Sequence, residues 1–323
     1  MNKPSLLITR SIYPEVLAKL EKHFQVDYNS TDEVYSKETL IQKLQGKEAA
    51  MTTGSERIDE DVLKACPLLK ICANIAVGYN NFDVPSMTAR KVQATNTPDV
   101  LTETTADFGF ALMMAAARRM TESEHFLRNG SWNKWSLDMF TGQDVFASTL
   151  GILGMGRIGQ AIAKRGAHGF GMRVIYHNRS QLSSPLEQAC KAQYVSKEEL
   201  LKTADHLVLV LPYTQQVHHT IGEAELKMMK PTATLTNIAR GGIVDDAALV
   251  RALRAGHIAA AGLDVFENEP ALNPELLTIP NVVLTPHIAS GSRKTRLAMA
   301  ELAADNLVAF FEKGQPLTPV NQI

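Results

Sequence analysis

The sequence predicts an α/β protein built from two doubly wound parallel sheets, with one unit inserted into the other. Three observations carry that expectation. Short aliphatic or β-branched runs alternate with helical stretches along most of the chain. A glycine-patterned stretch, TLGILGMGRIG (149–159), opens a second series of such runs. After His287 the alternation stops, and a single long helical pattern takes over.

In the first part the strand candidates are Leu6–Thr9, Val26–Tyr28, Ala49–Thr52, Lys70–Asn74 and Val92–Ala94, with helices such as Pro14–His23 and Lys37–Leu44 between them. Such runs suffice for one small open sheet. TNTPDVLTET (95–104) then changes character. Pro98 disfavours helix at Thr97, and Thr102 can cap the helix that begins there. From Glu103 to Arg119 the chain reads as one helix, apolar on most faces and so expected to be buried.

The second series comprises Thr149–Leu153, Arg173–Tyr176, His206–Leu211, Ala233–Asn237, Ala260–Asp264 and Val282–Thr285, six strands as in a Rossmann-like sheet. Beyond it Leu297, Ala300, Ala304, Leu307 and Phe311 recur at helical spacing. No strand is left for this helix to serve, so it is expected to pack back on the first unit. The expected division is residues 1–98 with 289–323 as a flavodoxin-like substrate domain, and 99–288 as a nucleotide-binding domain.

Composition narrows the function classes. Lys plus Arg number 33 against 34 Asp plus Glu, and no like-charge run occurs. This argues against a nucleic-acid or membrane partner. The apolar run in MNKPSLLITR is too short for a secretory leader, so a cytoplasmic protein is expected. Cys66, Cys72 and Cys190 offer neither zinc spacing nor an even disulfide set. His218 and His219 read as loop residues, since adjacent side chains generally diverge. No metal is expected.

Gly154, Gly156 and Gly159 form G-x-G-x-x-G between a strand and a helix. This is the arrangement that brings a dinucleotide pyrophosphate onto a helix N-terminus. An acid normally comes after the second strand and holds the adenine-side ribose. Here no Asp or Glu occurs between Asp144 and Glu187, and the strand runs into VIYHNRS (174–180). Arg179 can pair with a 2′-phosphate instead, with Asn178 and Ser180 as neutral donors. The expected cofactor is therefore NADP(H), with NAD(H) possible.

Three further segments fall at predicted strand ends: NIARGGIVDD (237–246), GLDVFENEP (262–270) and TPHIASG (285–291). An arginine, an acid and a histidine from these ends suit reduction of a 2-keto acid. The arginine can hold a carboxylate, and the histidine can supply a proton near neutral pH. A neighbouring carboxylate would favour the charged imidazole. The joint occurrence singles out Arg240, Glu269 and His287.

These motifs, with VGYNNFDV (77–84) and PDVLTETTADFGFALMMAAARR (98–119), resemble the D-isomer-specific 2-hydroxyacid dehydrogenase family over essentially the whole chain. Within it the likeness is greatest to bacterial glyoxylate/hydroxypyruvate and 2-ketogluconate reductases. The resemblance implies Arg240 on the substrate carboxylate, His287 as the acid–base group and Glu269 as its partner. It adds backbone N–H groups of Val77 and Gly78 on the carboxylate, and Asp264 on the nicotinamide carboxamide. Met155, Arg157 and Ile158 would join the glycine loop around the cofactor, with Thr104, Leu211, Pro212, Ile238 and Ala239 lining its cleft.

The resemblance also suggests a homodimer through the nucleotide-binding domain. SWNKWSLDMFTGQDV (131–145) is the expected arm, with Trp132, Trp135 and Phe140 as packing anchors, and one of these or Met139 as a residue that can reach a neighbouring site. The alternatives are an NADH-linked D-3-phosphoglycerate or other D-2-hydroxyacid dehydrogenase, and a nucleotide-sensing corepressor on the same fold.

Overall fold

The structure, a computed structural model, describes residues 3–323. It divides into two compact units, residues 1–101 with 291–323, and residues 102–290. The expected limits of 98 and 288 lie slightly before those of 101 and 290.

The first unit holds five parallel strands, β1 (Ser5–Ile8), β2 (Gln25–Tyr28), β3 (Ala49–Thr52), β4 (Ile71–Asn74) and β5 (Gln93–Thr95). Their order, β2-β1-β3-β4-β5, is the flavodoxin-like one. Every residue of β3 and β4 is buried, which is why each reads as three consecutive apolar residues, ended by Thr52 and Asn74, rather than as an alternating pattern.

The helix Arg293–Lys313 belongs to this unit. Ser292 caps its start by accepting from the Thr295 N–H, and Gly314 ends it at φ +76°. Ala300, Ala303, Ala304 and Leu307 pack with Leu6, Ile8, Val16, Leu20 and Ile71. Small side chains along that seam let the helix lie close to the sheet. Beyond it, Asn321 accepts from the Ala94 N–H at 2.7 Å and donates to the Val92 carbonyl at 3.0 Å. Those bonds occupy the outer edge of β5, which among the described residues has no strand beside it.

The second unit is a seven-stranded parallel sheet: β6 (Thr149–Leu153), β7 (Arg173–His177), β8 (Ala192–Tyr194), β9 (His206–Leu209), β10 (Thr234–Asn237), β11 (Ala260–Leu263) and β12 (Val282–Leu284). The order is β12-β11-β10-β9-β6-β7-β8, which places a topological switch between β6 and β9. The sequence leads one to expect six strands. The extra one, β8, is a three-residue edge strand, only half-buried and paired to β7 alone. It carries too little apolar pattern to announce itself.

The expected helix to Arg119 is shorter in the structure, Thr102–Ala117. Arg119 adopts φ +52°, breaks the helix and starts a second one, Met120–Arg128. Its guanidinium sits 5.2 Å from the Phe140 ring centroid, and Phe140 packs edge-on to Phe126. Phe140 is thus engaged within its own chain. Trp132, Trp135, Leu137 and Phe146 are 56%, 72%, 84% and 75% exposed. Among the described residues, no helix is long and apolar enough to cross a membrane.

Candidate active site

The glycine loop joins β6 to the helix Arg157–Lys164. Gly154 turns it at φ +102°, and a Cβ there would lie 2.7 Å from the Leu211 amide nitrogen. A Cβ on Gly159 would lie 2.4 Å from the Gly154 carbonyl oxygen, so only glycine lets helix and strand approach this closely. Gly156 is different: a Cβ there meets nothing within 4 Å. The space over Gly156, at the helix N-terminus, is therefore open to a ligand. This is the cradle that a pyrophosphate of NAD(P) requires, so the loop fits that group.

Met155 does not face that space. Its side chain is fully buried in the core, and its N–H donates to Asn178 Oδ1 at 2.7 Å. The cradle is consequently made by Gly156 and the first helical turn. Asn178, just past β7, uses its oxygen on the loop, which leaves its NH₂ group as the part that can meet a ribose or 2′-phosphate. The Tyr194 hydroxyl donates to the Asn178 carbonyl at 3.1 Å and steadies it from β8. Arg179 and Ser180 come next, both exposed.

The strand ends behind Arg240, Glu269 and His287 are neighbours, since β10, β11 and β12 lie side by side. Glu269 Oε2 meets His287 Nδ1 at 2.8 Å, while its Oε1 accepts from the Phe266 N–H at 2.8 Å. Both carboxylate oxygens are thus oriented, and the imidazole presents Nε2 outward. Burial works to raise the Glu269 carboxyl, but the His287 hydrogen bond and charge, the Phe266 N–H and the Arg240 charge outweigh it and hold it below the usual range. Burial pushes the half-buried Arg240 guanidinium down, against the charge of Glu269. Asn237 shapes the Arg240 loop, accepting from the Ala239 N–H at 3.1 Å and donating to the Arg240 carbonyl at 3.2 Å.

His287 sits at φ +53°, a conformation that costs free energy for a side chain and needs support. Asp264 supplies it. Fully buried, it accepts from Thr285 Oγ1 (2.8 Å), the Ile288 N–H (2.8 Å) and the Ala289 N–H (2.9 Å). Its carboxylate is occupied within the loop that carries His287. Burial raises its pKa, against those three hydrogen bonds and the His287 charge.

Apart from Thr104, Arg157 and Ile158, which are helical, the remaining expected residues fall at loop positions of the same kind. Leu211 and Pro212 come after β9, buried Ile238 and Ala239 after β10, and Thr104 lies on the long helix. Val77 and Gly78, in the first unit, come after β4.

The structure corrects the reading of His218 and His219. Their rings stack at 3.9 Å rather than diverging, because His219 takes φ +51° with its N–H on the Gly242 carbonyl at 2.7 Å. His219 Nε2 lies 2.5 Å from Glu267 Oε1, and the Tyr213 hydroxyl 3.1 Å from His218 Nδ1. The Glu267 N–H in turn donates to buried Asp246 at 3.1 Å. This network ties the Arg240 and Glu269 loops together. No local signal in the sequence marks it, because its members come from three separate loops.

Comparisons with known proteins agree with this geometry. Residues 110–289 match the model for the D-isomer specific 2-hydroxyacid dehydrogenase NAD binding domain. A glyoxylate reductase of Thermococcus gammatolerans is 48% identical over 99% of this chain and 96% of its own length. One from Aeropyrum pernix is 48% identical over 100% and 97%. Among solved structures, an NADPH-dependent glyoxylate/hydroxypyruvate reductase of Sinorhizobium meliloti, in complex with NADP and malonate, superposes with a TM-score of 0.86. It is 35% identical and covers 99% of this chain and 97% of that one. With its glycine cradle and adjoining Arg–Glu–His strand ends, the chain belongs to the D-isomer specific 2-hydroxyacid dehydrogenase family, oxidoreductases that work with NAD(P).

Proposed function

We propose that the chain reduces glyoxylate to glycolate and hydroxypyruvate to the D-2-hydroxy acid, with NADPH as the preferred donor. The observation that carries this reading is the 48% identity to glyoxylate reductases over 99% of the chain, with the Glu269–His287 pair intact. Larger 2-keto acids such as 2-ketogluconate are further candidates.

The cofactor, when bound, supplies the hydride that reaches the keto carbon. Arg240 pairs with the substrate carboxylate and polarises the adjacent carbonyl. His287 Nε2 delivers a proton to the developing alkoxide and takes it back in the reverse direction. Glu269 fixes the imidazole orientation and favours its charged form. Asp264 holds the loop in which His287 is presented.

NADPH preference rests on the run without acids and on Arg179, which would pair with a 2′-phosphate. The exposed Trp132, Trp135, Leu137 and Phe146 support a homodimer through this unit. The decisive experiment is a kcat/KM panel of glyoxylate, hydroxypyruvate and 2-ketogluconate with NADPH and with NADH. The expected outcome is highest efficiency for glyoxylate or hydroxypyruvate with NADPH. Failure to turn over either of them would remove the assignment.

A further inference from the structure

We propose that the loop after β4 is a three-amide anion cradle, in which Tyr79 N–H is a third donor beside Val77 and Gly78. Asn74 and Asn96 are the positioning residues that aim it. The proposal rests on the reading of this chain as a reductase of small 2-keto acids.

The geometry is a consequence of peptide planarity. In a trans peptide the C=O and the N–H that share the plane point in opposite directions. Three successive carbonyls of this loop are held: Ala76 by the Thr97 N–H at 3.0 Å, Val77 by Asn96 Nδ2 at 2.7 Å, and Gly78 by Asn74 Nδ2 at 3.0 Å. The N–H groups in those same planes belong to Val77, Gly78 and Tyr79, and all three are turned away from their carbonyls' partners. Among the described residues, none of these N–H groups makes a hydrogen bond. Successive amides freed in this way form a concavity that attracts anions, here with no cationic side chain among residues 74–81. With three donors, both oxygens of a carboxylate can be served.

The two asparagines are themselves fixed. Asn74, fully buried at the end of β4, accepts from Thr52 Oγ1 at 3.2 Å and donates to Asn81 Oδ1 at 3.1 Å as well as to Gly78. Asn81 is oriented by donating to the Thr53 and Glu56 carbonyls at 3.0 and 2.9 Å. Asn96 comes just after β5, and its carbonyl accepts from Thr318 Oγ1 at 2.6 Å. Both positions must donate to a carbonyl, so a carboxylate of the same shape would oppose the arrangement at either one.

The test uses two variants of the full chain. Asn96→Leu removes one carbonyl anchor, and an ester at the 78–79 linkage, introduced with the α-hydroxy analogue of tyrosine, removes the third N–H. Oxalate serves as an anion that cannot be reduced. For each variant the proposal expects KM for glyoxylate and Kd for oxalate to rise about tenfold or more, the scale of a lost hydrogen bond to a charged group. Changes in kcat should be much smaller, and Kd for NADPH should stay the same.

Unchanged KM and oxalate affinity in the ester variant would overturn the third donor. An equal loss of NADPH affinity in Asn96→Leu would mark a merely structural role and overturn the positioning one. If Asn96→Leu does not fold, Asn96→Ser takes its place under the same criteria. A wild-type protein that binds oxalate but reduces none of the keto acids would remove the substrate reading while still testing the cradle.

Discussion

At the scale of the residue, the proposed chemistry rests on a carboxylate and an imidazole 2.8 Å apart, half in solvent. His287→Ala should lower kcat/KM for glyoxylate by about 10²–10⁴ while leaving NADPH affinity unchanged, as read by steady-state kinetics and fluorescence titration. The pKa of Glu269 is depressed, so its stabilising pair is present above the ordinary carboxylate range and is lost only as pH falls through and below it. Asp246 has the opposite sign. Burial first, then the charges of Glu267 and Asp245, push it up to about 6. Its contribution to stability is full below about pH 4 and is lost as pH rises through about 6, with a ceiling of about 3 kcal/mol. Asp246→Asn, which can still accept from the Glu267 N–H, should therefore be more stable than wild type at pH 8. The gain should shrink toward pH 5 in urea unfolding. Arg179→Ala should weaken NADPH far more than NADH, measured as the change in the ratio of their kcat/KM values.

The glycine loop makes the sharpest prediction at the scale of the element. Gly159→Ala forces the helix off the strand, so it should lower both Tm and cofactor affinity. Gly156→Ala meets open space at an ordinary φ of −74°, so it should leave Tm within about 2 °C of wild type yet still weaken NADPH. Thermal scans with and without cofactor separate the two.

Elements were legible in the sequence where their cause is local. The helices Pro14–His23 and Lys37–Leu44 have the bounds that periodicity assigned, and the fully buried strands β3 and β4 announce themselves by consecutive apolar residues. Edge strand β8 and the break at Arg119 were not legible, because one is a matter of pairing and the other of a backbone angle that arginine seldom takes. The site divides in the same way. Arg240, Glu269 and His287 could be named from motifs at strand ends. The Asn178 bond to Met155, the Asp264 clasp and the His219 bonds to Glu267 and Gly242 join distant segments and leave no local pattern.

The whole molecule exposes an apolar arm, and that surface bears on its oligomeric state. Sedimentation at micromolar concentration should give a dimer, and Trp135→Glu with Leu137→Glu should shift it toward monomer. Retention of glyoxylate kcat in that monomer would show that each chain's chemistry is self-sufficient; a loss would point to a contribution from the neighbour.

The helix Arg293–Lys313 and the Asn321 clasp on β5 also have a bearing on how the chain is made. A ribosome releases the second unit in full once about Ser290 has emerged, but the first unit still lacks the helix that covers β1, β3 and β4. The unit translated first is therefore the last to finish folding. Until then its apolar sheet face stands open on the nascent polypeptide, the interval in which chaperone capture would be most useful. Residues 102–290 expressed alone should fold, and residues 1–101 alone should not, as limited proteolysis of the two fragments would read directly.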